Sequence, residues 1–127
     1  MSRKRVLILA DEDLVIEVVT TMLEYMGYEV ESSREGDETV EKYRSAMERG
    51  TPFHAVLLDL SIPGGRGGRE VIRDLLSIDP HVCAVVSSGY SNDPIMTNYT
   101  QYGFKGVVAK PFKLEDLRDV MNKVLGL

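Results

Sequence analysis

The sequence predicts a doubly wound α/β domain, a five-stranded parallel sheet held between two layers of five helices in all. Three observations carry this. Short apolar runs bounded by turn residues alternate five times with segments whose apolar residues recur at helical spacing. Those runs are apolar almost without interruption, as in strands covered on both faces. Four of them also close on a polar group at the same relative place: VLILA on Asp11 and Glu12, AVLL on Asp59, AVVS on Ser88, and GVVA on Lys110.

Val6–Ala10 reads as the first strand, followed by a helix whose apolar face is Val15, Val18, Val19, Met22, Leu23 and Met26. Gly27 suits the position just past its end. Tyr28–Ser32 alternates and is the second strand, and Val40, Tyr43 and Met47 mark a second helix over Asp37–Arg49, broken by Gly50-Thr51-Pro52. Ala55–Asp59 is the third strand. Pro63–Gly68 (PGGRGG) reads as a flexible loop. Val71, Ile72, Leu75 and Leu76 mark the third helix, stopped before Pro80. Cys83–Ser88 is the fourth strand. Ser91-Asn92-Asp93-Pro94 offers caps for a fourth helix carrying Ile95, Met96, Tyr99 and Tyr102, with Gly103 beyond it. Gly106–Ala109 is the fifth strand. Leu114, Leu117, Val120, Met121, Val124 and Leu125 form the last helical face, with a weak cap at Lys113. Glu115 and Asp116 near its start and Lys123 near its end suit the helix dipole.

A chain of 127 residues fits one domain, 1–127, with one core. Its longest apolar run, Val6–Ala10, is far too short to span a bilayer, and no signal-peptide pattern opens the chain. The single cysteine, Cys83, excludes a disulfide framework and reads as a buried free thiol, which favours the cytoplasm. A net charge of −5 argues against nucleic acid as a direct partner, and Arg3, Lys4 and Arg5 read as a solvated terminus. His54 and His81 lie away from the strand ends, so zinc is not expected.

Right-handed crossovers put every C-terminal strand end on one edge of such a sheet, where ligands bind. Asp11, Glu12 and Asp59 would then meet there. At about 4 Å and an effective dielectric near 20, each like-charge pair repels by roughly 4 kcal/mol. Lys110 alone does not offset three such pairs; a divalent cation with hard oxygen ligands, Mg²⁺ or Mn²⁺, does. With the ion and Lys110 the local charge closes to zero. A phosphoryl donor can then approach, and a carboxylate, best placed at Asp59, can take its phosphoryl group. Ser88 can donate a hydrogen bond to a phosphoryl oxygen. Each residue alone has an ordinary explanation: a strand-end cap, an acidic first helical turn, turn chemistry at Ser87-Ser88-Gly89. Their joint placement on one edge decides for the site. The glycines of PGGRGG lack the Lys-Ser/Thr of a nucleotide-binding loop and are not read as a phosphate cradle.

Over nearly its whole length the chain resembles the receiver domains of two-component response regulators. The resemblance rests on ADED (Ala10–Asp13), GYEV (Gly27–Val30), LLDLSIPGG around Asp59, VSSGY with Ser88, and VVAKPF with Lys110. The wording of DLSIPGGRGG, VSSGY and VVAKPF is most similar to receivers attached to hybrid sensor histidine kinases. It implies the flavodoxin-like strand order 2-1-3-4-5. It implies that Asp59 accepts a phosphoryl group from a histidine kinase or histidine phosphotransfer domain. Asp11, Glu12, Asp59 and the backbone carbonyl of Ser61 would hold Mg²⁺, and Ser88 and Lys110 the phosphoryl oxygens. The Lys110–Pro111 bond is often cis in this family.

The chain departs from the family in four places. Glu12 stands where Asp is usual, Ser88 replaces the commoner Thr, and the loop at Pro63–Gly68 is one residue longer. Val107 occupies the position of an aromatic three residues before the lysine, which leaves Tyr90 and Phe104 as the aromatic candidates for a switch. No output segment follows Leu127, which reads as a stand-alone receiver or a fragment of a hybrid kinase. Two other classes compete. Asp11-x-Asp13 is similar to the nucleophile motif of haloacid-dehalogenase-like phosphatases, but Val15 stands where Thr is usual and there is no room for a cap. A flavodoxin-like flavin binder needs a Ser/Thr/Gly-rich first loop, and here that loop is ADED.

Overall fold

The computed structural model describes residues 3–60, 62–89 and 93–127. Its strands are β1 (Arg5–Leu9), β2 (Glu29–Ser33), β3 (Ala55–Asp59), β4 (Ala84–Ser88) and β5 (Gly106–Ala109), all parallel, in the order β2-β1-β3-β4-β5. The helices are α1 (Asp13–Tyr25), α2 (Gly36–Glu48), α3 (Gly68–Ile78), α4 (Pro94–Thr97) and α5 (Leu114–Leu125).

Period-two alternation along the strands sorts the core into two layers. Leu7, Leu9, Val56, Leu58 and Val86 pack with Val40, Tyr43, Val71, Ile72 and Leu75 of α2 and α3. Val6, Ile8, Leu57, Val85 and Val108 pack with Val19, Leu23, Leu117, Val120 and Met121 of α1 and α5. Both faces are therefore covered, as the uninterrupted apolar runs require. Each such fully buried aliphatic side chain contributes about 1.5–3 kcal/mol. Among the described residues, no buried side-chain nitrogen or oxygen lacks a partner, and no helix is long and apolar enough to cross a membrane.

The fourth helix is shorter than its apolar spacing predicts. The α-helix stops at Thr97, and Tyr99–Tyr102 forms a separate 3₁₀ turn. Asn98 breaks it at φ −113°, ψ 39°, and the Thr and Asn residues around this point are poor helix formers. Tyr99 is half-buried and Tyr102 exposed, so the expected face does not persist. The cap expected in Ser91–Pro94 is made by Asp93, whose carboxylate accepts from the Ile95 amide at 2.9 Å, with Pro94 opening the helix. Ser91 and Asn92 lie outside the described residues.

Cys83 is half-buried rather than buried, and it precedes β4 instead of starting it. Register explains this: Ala84 is the residue paired with Val56, and Cys83 contributes only its carbonyl, to the Val56 amide. Phe104 is 2% exposed within the α2–α3 layer, so it is a core residue and not a mobile aromatic. Tyr90 lies outside the described residues.

Candidate functional site

Parallel pairing aligns the C-terminal ends of β1, β3, β4 and β5. Asp59 lies opposite Ser87 in the β3–β4 register, and Ser88 lies opposite Ala109 in β4–β5, one residue short of Lys110. The Lys110 amide donates to the Ser88 carbonyl at 3.0 Å, which carries the β5 ladder one step past the strand. The Lys110–Pro111 peptide bond is cis.

A cleft of about 450 Å³ opens at this edge, lined by Asp11, Glu12, Asp59, Ser88 and Lys110, with Pro63 and Gly89 at its rim. The structure thus brings together every site side chain expected from the sequence that falls within the described residues. Ser61 lies outside them. Ser88, and not Ser87, is on the wall. Asp59 is 7% exposed, and the Lys110 Nζ donates to its Oδ2 at 2.6 Å. A charge-assisted bond of this length between partly desolvated groups is stronger than a surface pair.

Glu12 is the N-cap residue of α1 but makes no side-chain cap bond, and it is exposed at the cleft. Asp13 begins the helix, where its charge complements the dipole. Among the described residues no three His, Cys, Asp or Glu side chains are gathered as a ready-made metal group. The expected meeting of three acids is therefore a shared cleft rather than an assembled cage. An open cleft of hard oxygen donors fits Mg²⁺, which retains several waters, better than a softer metal.

Two basic residues that the strand-end pattern did not single out buttress this edge. Arg34, next after β2, pairs with Asp13, and its Nη1 donates to the Asp11 carbonyl at 3.4 Å. Its own amide donates to Glu38 Oε1 at 2.8 Å, tying the first acidic loop to α2. Its place directly after a strand, at the same edge as the acids, is the signal that marks it. The second is Arg66, in the loop between β3 and α3. There it pairs with Asp37 of α2 and Asp74 of α3.

The family model for the response regulator receiver domain matches residues 6–122. This chain belongs to the response regulator receiver family. As a class, receiver domains pair with histidine kinases or histidine phosphotransfer domains. The receiver is 32% identical over 117 residues to the transcriptional regulatory protein YkoG of Bacillus subtilis, covering 92% of this chain and 49% of that protein. It is 33% identical over 122 residues to the response regulator GacA of Pseudomonas protegens, covering 94% of this chain and 54% of GacA. The chain thus spans about half the length of these curated relatives. Its fold is similar to the receiver domain of the sensor histidine kinase PA1611 from Pseudomonas aeruginosa, with a TM-score of 0.85 at 21% identity. That match covers 99% of this chain and 100% of the other, whose crystal structure has a magnesium ion coordinated in the active-site cleft.

Proposed function

We propose that this receiver, a single domain over residues 1–127, accepts one phosphoryl group from a phosphohistidine onto Asp59. The observation that supports this most directly is the Asp59–Lys110 contact of 2.6 Å in a cleft shared with Asp11, Glu12 and Ser88. An Asp59 carboxylate oxygen attacks phosphorus, the P–N bond to the donor imidazole breaks, and the departing ring nitrogen takes up a proton. Lys110 and the Ser88 hydroxyl bind the phosphoryl oxygens as charge spreads onto them. Asp11, Glu12, Asp59 and the Ser61 carbonyl hold Mg²⁺, or Mn²⁺ in its place. The bound ion supplies charge neutralisation between the carboxylates and the incoming phosphoryl group.

The donor is a histidine kinase or a histidine phosphotransfer domain. An apolar hollow of about 410 Å³ beside the cleft supports a protein donor. It is formed by Leu14, Val15 and Val18 of α1 with Pro111 and Phe112, and it shares Lys110 with the site. Leu14 and Val18 are exposed at the rim of this hollow, so its apolar wall is open to solvent. The parent is a stand-alone regulator or a hybrid histidine kinase, acting in the cytoplasm, where Cys83 stays reduced.

Incubation with acetyl phosphate and Mg²⁺, read by intact mass, should add a single phosphoryl group, and chelation should prevent it. Asp59→Asn should abolish the addition. Labelling that persists in that variant would sink the assignment and direct attention to Asp11, the nucleophile of the phosphatase alternative.

A further inference from the structure

The loop that leaves Asp59 is held from two sides by one guanidinium. Arg66 Nη1 lies 2.6 Å from Asp37 Oδ1 in the first turn of α2, and its Nη2 pairs with Asp74 Oδ2 on α3. One planar fork thus ties two helices to one loop, a task a single ammonium does less well.

Glycines let the backbone close around this tie. A Cβ at Gly36, which opens α2, would lie 2.6 Å from Arg66 Cβ and 2.8 Å from its carbonyl oxygen. A Cβ at Gly67 would lie 2.4 Å from the Leu60 carbonyl oxygen, and one at Gly68 3.1 Å from that of Asp59. The residue next to Arg66 therefore rests on the backbone that follows the phosphoacceptor. Leu60 and Ile62 are buried in the α2–α3 layer, and the Leu60 amide donates to the Ser87 carbonyl at 2.9 Å. The chain is anchored on the sheet at Leu60 and clamped on the helices at Arg66.

We propose that Arg66 is a positioning residue of the phosphoacceptor site: by bridging Asp37 and Asp74 it sets the loop over residues 62–67 beside the cleft, and with it the metal affinity of the cleft. The inference rests on the receiver reading of Asp59 given above. Arg66 touches none of the reacting groups. It acts at one remove, through the loop backbone that packs at Gly67 and Gly68 against the Leu60 and Asp59 carbonyls.

Calorimetric Mg²⁺ binding and amide hydrogen exchange on the intact chain test this without relying on phosphotransfer. Arg66→Gln should weaken Mg²⁺ about tenfold and speed exchange in residues 62–68 about tenfold, with the β1 and β3 amides unchanged. Arg66→Lys, which keeps one contact, should fall between. Asp74→Asn provides the same loosening from the other partner should Arg66→Gln fold poorly. Wild-type Mg²⁺ affinity in the Arg66 and Asp74 variants overturns the proposal, even where exchange quickens, because the tie is then only structural. Weakened Mg²⁺ with unchanged exchange overturns it too, because charge alone then accounts for the effect. A wild-type protein that binds Mg²⁺ but takes no phosphoryl group on Asp59 overturns the receiver reading separately.

Discussion

Lys110 Nζ sits 2.6 Å from Asp59 Oδ2, joining the ends of β5 and β3 across β4. The lysine is thus a countercharge inside an acidic cleft, besides its proposed role as a ligand for a phosphoryl oxygen. Removing one member of such a pair leaves its partner in an environment shaped for both.

Lys110→Met is therefore expected to lower unfolding free energy by about 1–3 kcal/mol at neutral pH. In Asp59→Asn the same lysine change should cost measurably less, because the carboxylate it balanced is gone. Urea denaturation of the single and double variants gives the coupling. Additive costs would show that the contact contributes nothing to stability.

The approach of α3 to the phosphoacceptor strand depends on Gly67. Gly67→Ala would set a methyl 2.4 Å from the Leu60 carbonyl oxygen and is expected to cost about 1–3 kcal/mol. Gly65→Ala is the control: its nearest contact would be Ile62 Cγ2 at 3.5 Å, and the change should stay within about 0.5 kcal/mol. Equal thermal midpoints for the two variants would contradict the close packing.

Phe104 and Val107 should respond to mutation by very different amounts. Phe104→Ala empties a fully packed core position and is expected to cost about 3–5 kcal/mol. Val107 is half-buried and packs at the edge of the α2–α3 layer, on the face of β5 turned away from α5. Val107→Tyr, which restores the family's aromatic, should change stability by less than about 1 kcal/mol. A large loss in the tyrosine variant would mean that this edge of the α2–α3 layer does not admit the ring.

At the opposite end of the sheet, the Arg5 amide donates to His54 Nδ1 at 2.9 Å, a bond that needs the neutral ring. Burial, then Lys4 and Arg5, hold the His54 pKa below its ordinary 6.5. A base with a lowered folded pKa binds protons more readily when unfolded. Its contribution is therefore complete above about pH 6.5 and declines as pH falls below that value. The urea midpoint should drop on acidification through this range. His54→Asn, which keeps an acceptor but does not titrate, should flatten that limb of the profile relative to the wild type.

Much of this architecture is legible in the chain. Uninterrupted apolar strands such as Ala55–Leu58 announce burial on both faces, and the helical spacing of Leu117, Val120 and Met121 announces the face that covers them. The polar strand ends Asp11, Asp59, Ser88 and Lys110 were visible as strand ends. Parallel winding then carries them to one cleft. The fourth helix was misread, because Ile95, Met96, Tyr99 and Tyr102 keep a helical spacing that Asn98 interrupts. Arg34 and Arg66 carry no periodic signal in the sequence, because an ion pair leaves no such trace.

Sequence alone determined the fold class and which residues stand at the ends of the strands, because hydrophobic periodicity is local and sets which face each segment buries. Only the tertiary structure decided how those ends engage: that Lys110 reaches Asp59, and that Arg66 ties the loop to two helices. These contacts join segments far apart in the chain. Their geometry follows from sheet register and close backbone approach, which exist only once the layers have packed.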